Sequence, residues 1–529
     1  MQEPAFVSRR SLLTMIGTVA GSSAMVQAMT AMGHAEASPY TGPLKLDGDA
    51  GGATVLILGA GLAGLTAAYE LRKAGYRVTL LEYQDRTGGR NWSIRGGDTV
   101  REINSTQQCQ FDRGLYLNPG PWRIPYHHHA IIDYCRRFGV ALEPFNQINN
   151  NAFVHNTNAF GGRPRRFREV ENDFHGHVAE LLSKSVNQGA LDTAVSGEDR
   201  EILLEALRNW GALDSQYRYA RSTRTSDRRG FDVLPGGGAS PPPVTSEPIA
   251  LDDLLRSRLW GAMAGNHGFD YQPTIFQPVG GMGKIGDAFA SAIGPGIIQL
   301  NCRVTSIDQD DHGVTVRYDD PRHGGPMREA SAQWCINTIP APVLSRLPMK
   351  IGAAMQAAID AVAPYSSSVK VGLQMKRRFW EEDDLIFGGF SSTNLAIRNI
   401  GYPNNDYATR GKAVLLGAYC YGAGAYEFAS LMPEERIRRA LAEGAQIHPQ
   451  YPQEFETGVS VAWHRIPWTM GCLSTWTEER RKEHYRALTE MDGRMLFAGE
   501  HVSYGIWQEH AILSALDAVA RLHKRVTTA

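Results

Sequence analysis

The stretch Thr54–Arg90, TVLILGAGLAGLTAAYELRKAGYRVTLLEYQDRTGGR, decides how the rest of the chain is read. Val55–Leu58 is wholly apolar, the pattern of a parallel strand buried on both faces, and it runs directly into Gly59-Ala60-Gly61-Leu62-Ala63-Gly64. Each glycine of such a strand–turn–helix unit has its own task. Gly59 permits the tight turn and Gly61 lets a pyrophosphate approach the backbone. Gly64 lets the helix pack close to the strand, its N-terminal amides aimed at the phosphates. Leu62, Leu65, Tyr69 and Leu71 are the helix's apolar positions, and Gly75 is expected to end it. A second strand, Arg77–Leu81, leads to Glu82, where a carboxylate accepts hydrogen bonds from a ribose diol and disfavours a 2′-phosphate. With both strands, the helix and the terminal acid in register, the unit predicts an α/β fold with a Rossmann-like (GxGxxG) dinucleotide-binding domain.

The residues that follow indicate which dinucleotide. Arg86-Thr87-Gly88-Gly89-Arg90 resembles the second glycine motif of the flavin-containing amine oxidase superfamily, whose closing arginine lies at the FAD pyrophosphate. The plain structural alternative is a Gly-Gly turn with basic flanks. The resemblance implies FAD as cofactor, with Gly59, Gly61, Leu62, Ala63, Gly64, Glu82, Gly89 and Arg90 around its nucleotide half.

Length suggests about three domains for 529 residues, and 43% hydrophobic with 21% charged residues is an ordinary globular composition. A formal net charge of -1 gives no reason to expect a nucleic acid or an anionic membrane as partner, either of which would call for a basic patch. At the N-terminus, Ser8-Arg9-Arg10-Ser11-Leu12-Leu13 precedes a mildly apolar run and Ala35-Glu36-Ala37. This resembles a twin-arginine export signal over residues 1–37, implying a periplasmic or secreted protein that folds around its cofactor before export; a basic leader is the alternative. No later stretch is apolar enough for a membrane span. Six scattered cysteines make no disulfide framework or metal spacing, and His127-His128-His129 is expected to supply exposed or helix-capping side chains.

Asn118-Pro119-Gly120-Pro121-Trp122-Arg123-Ile124-Pro125 is stiffened by its prolines, so Arg123 is held on a rigid segment. In L-amino acid oxidases of this superfamily a similar Gly-x-x-Arg-x-Pro segment delivers the arginine that forks the substrate carboxylate, a pairing that suits a guanidinium. By itself the arginine reads first as half of a structural salt bridge, and it is the resemblance that favours the carboxylate role. Gly120 and Trp122 fall beside the cofactor by the same resemblance.

From about residue 150 to 259 the texture is helical: Asp199–Trp210 places Leu203, Ala206, Leu207 and Trp210 on one face, and Leu251–Trp260 is a further helical run. The Gly/Pro stretch 234–243 between them is an exposed loop that either gates entry or only connects. Gln277-Pro278-Val279-Gly280-Gly281-Met282 resembles another superfamily segment, and Leu300–Ile307 and Val314–Tyr318 read as strands, with Val304 at the adenine half of FAD. Cys335–Pro340 reads as a buried strand of the cofactor domain.

Lys370 interrupts the apolar strand Ser368–Leu373. A snorkelling edge-strand lysine is the plain reading. The resemblance instead makes it the lysine bound through water to flavin N5, which favours the charge passed to oxygen. In Val414–Tyr421, Tyr419 matches the hydroxyl that shares the substrate carboxylate, and Tyr421 stays open as the alternative. Gly499-Glu500 lies on the ribityl-phosphate side in the family, and the helix after Trp507 directs its amides, with Gln508, at the flavin. Ile506, Trp507 and Trp463 match cleft-wall positions. Cys472, nine residues after Trp463, stands at the interval at which monoamine oxidases link cysteine to flavin; it is expected to be a packing residue beside dissociable FAD.

Taken together the chain is similar to FAD-dependent L-amino acid oxidases. The expected architecture is an FAD domain assembled from 50–95, 275–345 and 485–524, a mixed-sheet substrate domain from 96–150 and 346–484, and a helical domain over 151–274. The implied reaction is hydride transfer from Cα of an L-amino acid to flavin N5, giving a 2-oxo acid, ammonia and hydrogen peroxide with molecular oxygen as co-substrate, in a homodimer or higher oligomer. Amine oxidases, amino acid monooxygenases and a non-catalytic flavin protein remain open, and the preferred side chain is not readable.

Overall fold

The computed structural model describes residues 38–190, 196–265 and 267–528. The Arg9-Arg10 leader and its expected cleavage site after Ala37 lie outside the described residues. Among the described residues no helix is long and apolar enough to cross a membrane.

Thr54–Leu58 (β1), Leu62–Lys73 (α1) and Arg77–Leu81 (β2) form the strand–helix–strand unit read from the sequence. Gly59 takes φ +99° at the turn, a conformation that L side chains rarely adopt. A Cβ on Gly64 would lie 1.9 Å from the Gly59 carbonyl oxygen, so only glycine lets α1 sit this close to β1. Gly75, at φ +86°, follows the last turn of α1. β1 is the middle of a parallel five-stranded sheet in the order Ile298–Gln299, β2, β1, Trp334–Asn337 (β3), Met495–Phe497. The strands are buried on both faces, as parallel strands between layers must be. On one side α1, the C-terminal helix Gln508–Thr527 and the helices Gly283–Ile293 and His129–Arg137 share a core with Ile57, Leu65, Leu71, Phe289, Ala515 and Val519. On the other face Leu56, Leu58, Cys335 and Phe497 meet the helix Ala353–Val362.

A second sheet has seven strands, and Ser368–Met375 (β4) lies next to its edge, between Ala413–Tyr421 (β5) and the edge strand Phe455–Ala462 (β6), pairing antiparallel with both. All eight residues of β4 are buried, so Lys370 is not on an edge strand and does not snorkel. The sheet is mixed, because Phe390–Thr393 pairs parallel with Phe153–His155. Phe153–His155 and Arg165–Arg166 both join it, so this sheet draws two strands from inside the stretch expected to be helical. Gln277-Pro278 pairs antiparallel with Leu142–Glu143 in a small separate sheet.

The remainder of the middle region is largely helical: Phe167–Asn187, Gly197–Trp210, Thr223–Arg229, Leu251–Ser257 and Trp260–Gly265. The run expected at 251–260 is broken, because Arg258 adopts a left-handed conformation. The apolar face of Gly197–Trp210 also differs from expectation. Leu204 and Leu207 are buried, whereas Ala206 is exposed and Trp210, half exposed, lies against His175 at the surface. Residues 234–243 form an exposed irregular loop.

Candidate active site

A cavity of about 500 Å³ opens where the two large sheets meet, and one wall of it is the turn between β1 and α1. Gly59, Gly61, Leu62, Ala63, Gly89, Arg90 and Glu82 line it, joined by Val304 and, from the far end of the chain, Gly499, Glu500 and Gln508. Gly64 is not among the lining residues; it faces the Gly59 carbonyl, where it lets α1 pack onto β1.

Glu82 is held by two backbone amides, Oε2 accepting from Ala60 N at 2.5 Å and Oε1 from Gln84 N at 2.7 Å. Burial pushes its pKa up and these N–H groups pull it back. Arg90 Nη1 donates to the Cys472 carbonyl at 2.6 Å and to Glu500 Oε2 at 3.1 Å. Burial works against its charge, yet the Glu500 carboxylate holds its pKa above the ordinary value. Glu500 is fixed in turn by Ser474, whose hydroxyl donates to Oε1 at 2.6 Å.

The residues present fit an FAD. A Cβ on Gly61 would meet nothing within 4 Å, so the turn's backbone opens onto the cavity at the N-terminus of α1, where a pyrophosphate is best received. Asn91 Nδ2, His501 Nε2 and Gln508 Oε1 are buried on this wall without a protein partner. Buried polar atoms are seldom left so unless a ligand or water completes them. His501, its pKa lowered by burial to about 3, is neutral at physiological pH.

The other end of the cavity is aromatic and cationic. Asn118–Pro125 is locked in place by its own first residue, since Asn118 Oδ1 accepts from Ser93 Oγ at 2.7 Å and from Met282 N at 3.1 Å. Trp122 Nε1 donates to the Asn118 carbonyl at 2.5 Å, and the fully buried Trp463 donates to the Pro119 carbonyl at 2.8 Å. Gly120, Trp122 and Trp463 thereby reach the cavity wall, and Arg123 projects beside them. Its Nε is buried without a hydrogen-bond partner, and among the described residues no carboxylate lies within ion-pair distance of it. Instead its guanidinium carbon sits 4.7 Å from the Tyr271 ring centre, 5.6 Å from Trp507 and 5.9 Å from Phe390. The salt-bridge alternative for Arg123 is therefore not what the structure presents.

Tyr419 is on the cavity wall, whereas Tyr421 is nearly half exposed outside it. Lys370 donates to the Gly120 carbonyl, and its Nζ lies 4.5 Å from the Tyr419 ring centre and 5.5 Å from Trp122. Burial, assisted by the nearby Arg123 charge, lowers its pKa to about 7. Cys472 is on the wall as well; burial raises its thiol pKa, against the pull of Arg90 and Lys370. Ile506 and Trp507 complete this end.

Sequence reasoning missed Tyr271. It belongs to the turn Phe269–Tyr271 of the middle region, where no motif marks it. His127 and His128 are not exposed as expected, although His128 does stand at the N-cap of the helix His129–Arg137, without a side-chain cap hydrogen bond. Both are buried and only His129 is exposed. His127 Nε2 lies 3.2 Å from Asp270 Oδ1, and burial lowers His128 to about 3. His501 was missed although it adjoins Gly499-Glu500.

The profile of the flavin containing amine oxidoreductase family matches residues 62–523. The L-amino-acid oxidase of Vipera ammodytes ammodytes is 28% identical over 484 residues, which is 89% of this chain and 92% of its own. An L-amino-acid oxidase of Crotalus adamanteus is 29% identical over 493 residues, 89% of this chain and 87% of its own. Among solved structures, a redesigned putrescine oxidase superposes with a TM-score of 0.59 at 20% identity, covering 89% of this chain and 99% of that one. Cyclohexylamine oxidase from Brevibacterium oxydans gives 0.58 at 18%, with the same coverage. These two likenesses speak to the fold. With a profile match over most of its length and a cavity built for the dinucleotide, the chain belongs to the flavin-containing amine oxidoreductases and takes FAD as its cofactor.

Proposed function

We propose that this enzyme oxidises L-amino acids to 2-oxo acids, with release of ammonia and hydrogen peroxide. One observation carries the reading: the guanidinium of Arg123, half-buried and with its Nε buried without a partner, stands at the substrate end of the cavity with aromatic faces around it and, among the described residues, no carboxylate to neutralise it. A buried charge without a partner costs several kcal/mol, roughly, unless a ligand supplies one. The α-carboxylate of an amino acid is such a ligand, and a guanidinium receives it through two parallel hydrogen bonds. Tyr419 stands on the same wall, and burial keeps its phenol protonated as a donor.

An amine such as a diamine would need an anion here. The lining carboxylates, Glu82 and Glu500, are engaged by backbone amides, Ser474 and Arg90 at the nucleotide end. The cations Arg123 and Lys370 occupy the substrate end and repel a second ammonium group.

FAD supplies a two-electron acceptor that molecular oxygen reoxidises to give hydrogen peroxide. The chain's own residues do the rest. Arg123 and Tyr419 grip the carboxylate and so fix Cα in one position, the contribution that orientation alone makes. Trp122, Trp463, Tyr271 and Trp507 exclude water around it. Lys370 keeps a positive charge near the reacting centre, where negative charge develops during the reaction with oxygen. The imino acid released is hydrolysed by water to the 2-oxo acid and ammonia.

A peroxide-coupled assay over the L-amino acids, their D-isomers and simple amines tests the reading. Turnover confined to L-amino acids supports it. Turnover of amines, with amino acids inert, refutes it in favour of an amine oxidase.

A further inference from the structure

The middle region reaches the substrate end of the cavity through one short turn, Phe269–Tyr271. We propose that Asp270 is a positioning residue, which latches this turn to Trp507 and so holds two aromatic walls against the Arg123 guanidinium. The proposal rests on the amino acid reading above.

Both oxygens of Asp270 are in use. Oδ2 accepts from the indole N–H of Trp507 at 3.0 Å, and Oδ1 lies 3.2 Å from His127 Nε2. His127 is itself immobilised, with its ring 4.5 Å from Phe269 and 4.7 Å from His128 between centres. Its other nitrogen, Nδ1, is buried without a partner, so Asp270 is the polar anchor of this imidazole. Burial works to raise the Asp270 pKa, but the His127 and Trp507 hydrogen bonds and the neighbouring imidazoles hold it below the ordinary value, and the carboxylate stays charged.

Asp270 supplies the turn's side-chain hydrogen bond to Trp507, beside the ring contacts of Phe269 with His127 and of Tyr271 with Trp507. The segment is a single turn with no side-chain cap, and none of its three residues is fully buried. Yet Tyr271 lies nearest of the aromatic rings to the Arg123 guanidinium, and Trp507 comes next. Asp270 is joined to Tyr271 by a peptide bond and to Trp507 by a hydrogen bond. One carboxylate therefore ties the middle region to Trp507, just before the C-terminal helix, and to His127, two residues past the Asn118–Pro125 segment that carries the cation. Removing it frees the indole and the turn together. Binding of a carboxylate then weakens, while the chemistry of a molecule once bound changes little, since Asp270 does not line the cavity.

The test uses purified holoenzyme and the L-amino acid that the wild type prefers. Asp270→Ala is expected to raise KM roughly 10- to 100-fold, the scale of a lost hydrogen bond to a charged group, with kcat within about threefold. Asp270→Asn, which keeps an acceptor for the indole but turns an amide on His127, should fall between. Asp270→Glu should recover part of the loss. Benzoate and benzylamine, titrated against the flavin absorbance band, give a readout that mere loosening of the fold would not sort by charge. The Kd for benzoate should rise in Asp270→Ala and that for benzylamine should not. The proposal is overturned if Asp270→Ala keeps wild-type KM and benzoate affinity, or if both ligands weaken equally. Should Asp270→Ala fail to fold, Trp507→Phe, which keeps an aromatic wall but removes the indole N–H that Asp270 accepts, is read in its place against the same outcomes. A wild type that binds benzylamine but not benzoate, and oxidises amines only, overturns the amino acid reading and the latch together, which separates that failure from a latch that simply carries no weight.

Discussion

Arg123 is held by aromatic faces and a proline-stiffened backbone, with no counter-charge from the protein, which makes it the residue most exposed to test. Arg123→Ala is expected to raise KM for amino acids by about 100-fold or more, as follows from losing a buried charge-assisted pair, while the protein keeps its yellow colour. Wild-type kinetics in this variant would remove the best support for the amino acid reading. Lys370 makes a different prediction. Its pKa near 7 lies below that of an unfolded lysine, so the cation is depleted as pH rises through 7. The rate of reaction with oxygen should therefore fall between about pH 6 and 8 in the wild type. In Lys370→Met it should be flat and lower, on the order of 100-fold at acidic pH, with anaerobic bleaching by substrate much less affected. Stopped-flow traces in which only the bleaching step slows would rule out this role. The same depressed pKa makes Lys370 a cost to stability that is fully present below pH 7 and is relieved as pH climbs towards 10, because in that range the unfolded chain binds the extra proton. For Cys472, burial raises the thiol pKa and leaves little thiolate for bond formation with a cofactor. Acid precipitation should release the flavin into the supernatant; a pellet that stays yellow, with its mass raised by one FAD, would mean a covalent link.

At the scale of elements, the parts that were legible in the sequence are those whose function needs a particular residue type at a particular turn. The Gly59–Gly64 turn, Glu82 at the end of β2 and the rigid Asn118–Pro125 segment are short-range patterns with one physical solution, and Gly59, Gly61, Leu62, Ala63, Glu82 and residues 120–123 stand on the cavity wall. What stayed hidden depends on pairing at a distance. Lys370 reads as an edge-strand lysine until β4 is seen between β5 and β6. Tyr271 and Asp270 sit in a turn with no spacing signal, and their meaning comes from Arg123 and Trp507, more than a hundred residues away in either direction. His127 and His128, expected to be exposed or capping, are buried, His127 against Phe269 of that turn and His128 against Trp507 and His510. Glu102 is a further case. It forms a two-pronged pair with Arg436 at 2.7 and 2.8 Å, both side chains fully buried beneath β6, and it also accepts from Ala462 N. Glu102→Ala would leave Arg436 as an uncompensated buried charge and should lower stability by about 3–5 kcal/mol, seen as a large fall in Tm or urea midpoint. A change under about 1 kcal/mol would mean that water replaces the partner.

For the whole molecule, the feature with the widest reach is the origin of the five-stranded sheet. Its centre is made from residues 54–81, but β3 is covered by Met495–Phe497, and the cofactor wall is completed by Gly499, Glu500 and Gln508. A chain truncated after Glu490 should therefore retain no flavin on purification, however well its first half is preserved. The same arrangement sets a schedule for biosynthesis. Translation at about 5–20 residues per second delivers Gly499 roughly 20–90 seconds after Gly64. During that interval the glycine turn already exists as sequence but has no opposite wall, and β3 has a bare apolar flank. FAD consequently has nothing complete to bind until synthesis is nearly over. It acts as a latch on a finished fold and cannot serve as a template for an emerging one.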